Sequence, residues 1–313
     1  MSTLIAKGKK KLTKVYNQSV HRWKSPFIKV EIPSSVDDIL QNAWYYKPPH
    51  REKSPLIVSL HSWAGTFDQI DPELSREAVN SNWNYIHPDF RGVNNTPYAC
   101  GSDISMSDID DAITFAIDNG NVDLDNIFIV GSSGGAYSAL CYYSKSRHPI
   151  NAFIVWSPIT DLLAWYNQSI IRKTRYAQDI MNGTNSTDAL DIKEAKKRSP
   201  LYRDLPNNNS KLYIFTGYHD GYEIKAENPV PITHSLKYFN MYSMHHGATS
   251  DHLISNDEII KLTTREMPKT NETISDRKVV YSKSYKNASI TIFDGGHEHL
   301  DDHNIKLIKE NLL

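Results

Sequence analysis

The sequence predicts an α/β fold: a mostly parallel central sheet of about eight strands, with helices on both faces and a helical cap inserted late in the chain. Three observations carry that expectation. Short apolar runs recur along the 313 residues, and several are continuous, as strands buried on both faces of a parallel sheet must be. Segments with helical spacing alternate with them, which is how parallel neighbours are connected. Several of the strands also end in glycine-rich or polar loops, and functional groups of an open α/β sheet collect at those ends.

The elements follow in order. Residues 1–24 form a basic lead-in. Residues 27–32 and 39–46 cluster or alternate apolar side chains like strands, joined by the turn-prone PSSVDD. LIVSL at 56–60 is a continuous apolar strand, followed at once by His61-Ser62-Trp63-Ala64-Gly65. NYIHP at 84–88 is another, ending in Asp89-Phe90-Arg91-Gly92. Over 107–119, Ile109, Ile113, Ala116 and Ile117 repeat at helical spacing. The apolar run 127–130 then meets Gly131-Ser132-Ser133-Gly134-Gly135 and a helix-like stretch of small residues. Residues 152–156 make the next strand, and the polar, helix-forming stretch that follows is the expected cap. LYIFT at 212–216 ends in Gly217-Tyr218-His219-Asp220-Gly221. Residues 230–239 and 254–265 suit helices, 279–281 and 288–293 suit strands, and 304–313 closes as a helix. With no linker or internal repeat, 25–313 reads as one domain with a cap at about 157–210 and a second insertion at about 240–285.

A formal net charge of −1 sets up no bulk field toward nucleic acid or an anionic membrane, so neither partner is expected. The lysines of 7–14 read as a solvated arm. Two cysteines, Cys100 and Cys141, supply no disulfide framework and no C-x-x-C pair. No apolar run reaches the roughly 18 residues that span a bilayer, and the charged N-terminus lacks the apolar segment of an export signal. A soluble, cytoplasmic chain is the expectation.

Ser133 sits in G-x-S-x-G at a strand-to-helix junction. In such a nucleophile elbow the serine backbone is strained, and the flanking glycines leave room for strand and helix to cross. Only Ser133, not Ser132, has glycines at both −2 and +2. The new helix aims unpaired N–H groups where negative charge develops in acyl transfer. A serine needs a base to take its proton, and the base needs a carboxylate to set its tautomer. Ser133, Asp220 and His297 each follow an apolar strand beside glycines, in the chain order that such a triad takes on this kind of sheet.

Plainer readings stand beside these. Asp220-Gly221 is also a common turn pair, and Glu223 is the nearest substitute acid. His299, Asp301 and Asp302 crowd the loop of His297, although the FDGGH spacing favours His297. The oxyanion donors expected are the backbone N–H of Gly134 and one from the loop after 56–60, Trp63 first and Ser62 next. The Trp63 ring either walls the acyl or leaving-group pocket or simply packs. Trp156, Trp165 and Tyr166, with Tyr176 and Tyr202, are the candidates for contacting substrate, against ordinary packing of cap on core. Arg91 is expected to brace strand-end loops. His245, His246, His252 and Asp251 raise a metal site, but adjacent histidines do not ligate one ion comfortably, so a polar loop is expected. GSSGG lacks the spacing of a phosphate loop. Neither a metal nor a cofactor is expected.

HSWAG, PDFRG, SDIDDAITFAI, VDLDNIFIVGSSGGAYSAL, TGYHDG followed by VPITHSLKYF, and FDGGHEHL occur in that order over roughly 39–310. Together they resemble the α/β-hydrolase superfamily, above all the prolyl-oligopeptidase-like catalytic domain, a group that also holds stand-alone acyl and acetyl esterases. The resemblance implies a Ser–Asp–His hydrolase and carries over to Ser133, Asp220 and His297. Two departures matter. Peptidases of that group carry a large β-propeller ahead of the catalytic domain, and 313 residues leave no room for one. The gap from Asp220 to His297 is also longer than the group's usual one, so the 240–285 insertion is expected to be a lid or a contact in a homo-oligomer.

The first functional reading is a serine hydrolase that cleaves a carboxylic ester through an acyl-enzyme. Its expected partner is a small ester, with short acyl groups or acetylated carbohydrate as the substrate class. The alternative is a peptidase or aminopeptidase, which needs the same residues to protonate an amine leaving group. A binding protein that keeps the fold without turnover, and an acyltransferase with a non-water acceptor, are the remaining readings.

Overall fold

The computed structural model describes residues 23–222 and 229–312. The lead-in up to residue 22 and Glu223 fall outside them. The chain opens with β1 (Ile28–Pro33), β2 (Leu40–Tyr46), β3 (Ser54–Leu60), α1 (Pro72–Asn80) and β4 (Asn84–Pro88). Its centre is α2 (Asp103–Asn119), β5 (Val122–Ser132), α3 (Gly134–Tyr143) and β6 (Ala152–Trp156). Three short helices, α4 (Leu162–Ile171), α5 (Tyr176–Gly183) and α6 (Ile192–Lys197), precede β7 (Lys211–Gly217). Then come α7 (Thr233–His245), α8 (Asn256–Thr264), β8 (Thr273–Ile274), β9 (Arg277–Tyr285), β10 (Ala288–Phe293) and α9 (Asp301–Glu310).

Ten strands join one sheet in the order β1-β2-β4-β3-β5-β6-β7-β10-β9-β8, more than the about eight expected. The six from β4 to β10 run parallel, and antiparallel pairs extend both edges. This is the α/β-hydrolase architecture. β8 is two residues long, too short to leave a periodic signal. β9 supplies an edge from residues assigned to the second insertion.

Both faces of the central strands are covered, which explains their continuous apolar runs. In β3, Leu56, Val58 and Leu60 enter one core with Ile109 and Ile113 of α2, Leu140 of α3 and Leu236 of α7. Ile57 points the other way, to Leu74 and Ala78 of α1 and Leu307 and Ile308 of α9. Helix α1 escapes a periodicity search because Leu74 and Ala78 are its only buried apolar residues. Its local signal is the Asp71 cap, accepting from the Leu74 N–H at 3.1 Å, with Pro72 at the first turn. Among the described residues, no helix is long and apolar enough to cross a membrane.

Candidate active site

Ser133 stands between β5 and α3 with φ 56° and ψ −115°, a strained conformation for a side-chain-bearing residue. The crossing of strand and helix forces it. A Cβ on Gly131 would lie 2.5 Å from the Gly135 carbonyl carbon, so neither neighbour tolerates a side chain. Backbone bonds then carry the sheet edge across from β5 to β10: Ser133 N–H to Trp156 O at 2.8 Å, Ser157 N–H to Phe215 O at 2.7 Å, and Tyr218 N–H to Phe293 O at 2.7 Å. Ser133, Asp220 and His297 therefore belong to the same carboxyl edge.

His297 donates from Nδ1 to Asp220 Oδ2 at 2.6 Å, within the short range of charge-assisted bonds. The Asp220 side chain is fully buried and the imidazole nearly so. The other oxygen, Asp220 Oδ1, accepts from the Val230 N–H at 3.1 Å.

The turn reading of Asp220 also holds, since Gly221 has φ +72°; the turn is what lifts the carboxylate off the strand. His299 does not compete for Asp220. It lies 3.2 Å from Asp301 and 3.7 Å from Asp71. Asp301 and Asp302 open α9.

At Gly134 the absent side chain matters most, because a Cβ there would sit 2.1 Å from the Trp63 backbone nitrogen. The loop after β3 thus brings its N–H against the start of α3. Gly134, first in its helix, has no intrahelical acceptor, and neither N–H donates to a backbone acceptor among the described residues. Two free N–H groups side by side are the elements of an oxyanion hole.

The aromatic candidates turn out differently. The Trp63 ring is 2% exposed, edge-on to Trp165 at 4.7 Å and tilted against Tyr137 at 5.4 Å. Its Nε1 donates to Asp179 Oδ2 at 3.2 Å. Burial raises the Asp179 carboxyl above its ordinary range, against the Trp63 bond. Trp165 is 1% exposed, stacks on Tyr176 at 4.6 Å and donates to Pro229 O at 3.2 Å. Trp156 is buried on the opposite side of the sheet, bonded to Asn304 Oδ1 at 2.7 Å and stacked on Phe215. Expectations of substrate contact by Trp156 and Trp165 are therefore corrected: packing takes both rings. Tyr166 is half-buried on α4.

Arg91 braces loops as expected, bonding Asp108 of α2, Asp37 and Ser34. His245, His246, His252 and Asp251 do not converge on one point among the described residues. Sequence reasoning missed three supports of the site. Arg172, the C-cap of α4, bonds the carbonyls of Pro229 and Gly221, on either side of the segment after Asp220. The Val230 N–H orients that acid. Asp294, just before the His297 loop, binds Lys269 at 2.6 Å and His219 at 3.2 Å. Most of these bonds run to backbone atoms, which leave no residue-type trace.

The pattern described as the prolyl oligopeptidase family matches residues 101–267; it takes in Ser133 and Asp220 and stops short of His297. No curated protein matches the chain. Among solved structures, the acylaminoacyl peptidase of Pyrococcus horikoshii shares 19% identity with a TM-score of 0.62, over 91% of this chain and 40% of that one. Prolyl oligopeptidase B from Galerina marginata shares 15% at a TM-score of 0.54, over 70% of this chain and 31% of its own. A puromycin-hydrolyzing peptidase of Mycobacterium tuberculosis shares 14% at 0.55, over 70% and 34%. This chain thus spans two fifths or less of the structures it resembles.

Proposed function

Because this chain belongs to the prolyl oligopeptidase family, we propose that it is a serine hydrolase that cleaves an amide bond of a small or acylated peptide. The observation that carries the reading is the bond from His297 to buried Asp220 on the sheet edge that also bears Ser133. Ser133 Oγ attacks the carbonyl carbon while His297 Nε2 takes its proton. The oxyanion is held by the N–H groups of Gly134 and Trp63. His297 passes the proton to the departing amine as the C–N bond breaks, leaving an acyl-enzyme. Water then repeats the sequence, with its proton taken by His297 and Ser133 released. Asp220 orients the ring and stabilises its cation.

The ester reading rests on a stand-alone domain and on aromatic rings in the cap. Trp156 and Trp165 are enclosed by packing, which leaves the second support to Tyr166, Tyr176 and Tyr202, and the family favours the peptidase alternative. A fluorophosphonate should label Ser133 and leave Ser133→Ala untouched. Matched acyl esters and acyl amides should then be compared by kcat/KM, with acylaminoacyl and free aminoacyl amides in the panel. Amide turnover supports the proposal; labelled protein that cleaves only the esters returns the reading to an esterase. Intact protein that takes no label would point to binding without turnover.

A further inference from the structure

The loop after His297 meets the start of α1 in a cluster that the triad does not use. His299 Nε2 lies 3.2 Å from Asp301 Oδ1 and 3.7 Å from Asp71 Oδ2, and one ligand atom from each residue lies within 4.8 Å of the others. Both carboxylates are largely enclosed, at 13% and 12% side-chain exposure, while the imidazole is 37% exposed and leaves a way in. Asp71 Oδ1 is already taken by the Leu74 N–H, which leaves Oδ2 turned to the cluster.

The spacing discriminates between two kinds of occupant. A proton shared between imidazole and carboxylate draws N and O to about 2.8 Å. A tetrahedral ion with bonds of about 2.0–2.1 Å holds neighbouring donors about 3.3 Å apart. The observed separations sit nearer the second value. Charge agrees above about pH 7, the value to which burial and Asp301 raise Asp71, because two carboxylates then face a single imidazole. Tyr85 is fully buried in the field of both Asp71 and Asp301, with Ser59 beside its hydroxyl, and that hydroxyl makes no bond of good hydrogen-bond geometry among the described residues.

We propose that Asp71, His299 and Asp301 bind a divalent transition-metal ion, Zn²⁺ by preference, with the Tyr85 hydroxyl beside it as an outer partner. One imidazole with two carboxylates suits Zn²⁺ or Co²⁺ and disfavours Mg²⁺, which takes oxygen ligands alone. The ion links the N-terminus of α1 to the loop that carries His297. Its role is structural: it holds the base loop in place and takes no part in the bond-breaking steps. The inference stands on this cluster alone and does not need the peptidase reading.

The full chain, stripped with a chelator and dialysed at pH 8, is titrated with Zn²⁺ by calorimetry and with Co²⁺ by visible absorption. One equivalent bound, with the intense bands of tetrahedral Co²⁺, is expected. His299→Ala and Asp301→Asn should each weaken binding at least about tenfold, while His245→Ala should not. Zn²⁺ should raise the Tm of the native chain and leave that of His299→Ala unmoved. Where His299→Ala does not fold by circular dichroism, His299→Gln takes its place. Absence of stoichiometric binding, or equal binding by native chain and folded His299 variant, overturns the site and leaves His299 a plain ion-pair partner.

Discussion

At Gly134 the missing methyl group has a chemical consequence. The lack of a side chain is what allows the Trp63 backbone to approach, and it brings the Trp63 nitrogen against the start of α3. Gly134→Ala places a carbon 2.1 Å from the Trp63 nitrogen, well inside contact distance, so the loop after β3 must retreat. Loss of one oxyanion donor costs about 10²–10³ in kcat. A fall of that size in kcat, with the protein still folded, is expected; a variant within twofold of the parent would dismiss Gly134 and Trp63 as the donors. Trp63 itself shows how one residue serves two purposes. Its backbone nitrogen lies against Gly134, while its ring meets Trp165 and Asp179.

Between elements, the contact with the largest expected cost is Arg91. It leaves the end of β4 and meets Asp108 of α2, Asp37 and Ser34, with the Arg91 and Asp108 side chains 7% and 0% exposed. Burial pushes the Asp108 carboxyl up, and the bond from Arg91 works against that. Arg91→Ala strands a buried carboxylate, a change that costs about 3–5 kcal/mol. Urea unfolding should read that loss, and a value under about 1 kcal/mol would mean that water already screens the pair. Arg172 plays a comparable part for chemistry: it ties the end of α4 to either side of the segment that follows the acid.

For the whole molecule, buried neutral histidines contribute a loss of stability in acid. Burial lowers His234 to about 4 and His87 to about 3. His234 Nδ1 accepts the Thr160 N–H at 3.1 Å, which only an unprotonated nitrogen can do. The unfolded chain titrates these rings near their ordinary 6.5, so it binds more protons than the fold between that value and the folded ones. Their contribution is then fully present above about pH 6.5 and is lost as pH falls toward 4, by about 3 kcal/mol from His234 alone. Asp71, which burial and Asp301 raise to about 7, contributes with the opposite sign below that pH, so the histidine part is read against His234→Gln. From pH 7 to 4.5 the urea midpoint of the native chain should fall further than that of the variant, and equal falls would show that the ring is not held neutral.

The sequence by itself determined the parallel sheet, the elbow and the order of Ser133, Asp220 and His297. Those features are written in short-range signals: apolar runs, glycine spacing and strand-to-loop boundaries within a few residues. The two-residue β8 and the nearly polar α1 carry too few apolar positions to leave such a signal. Only the tertiary structure decided that Trp156 and Trp165 are enclosed and that Asp71 meets His299. A tryptophan has the same composition in a core as in a cleft, and a carboxylate's partner is chosen by distance in space. Those choices appear only when segments far apart along the chain are packed against one another.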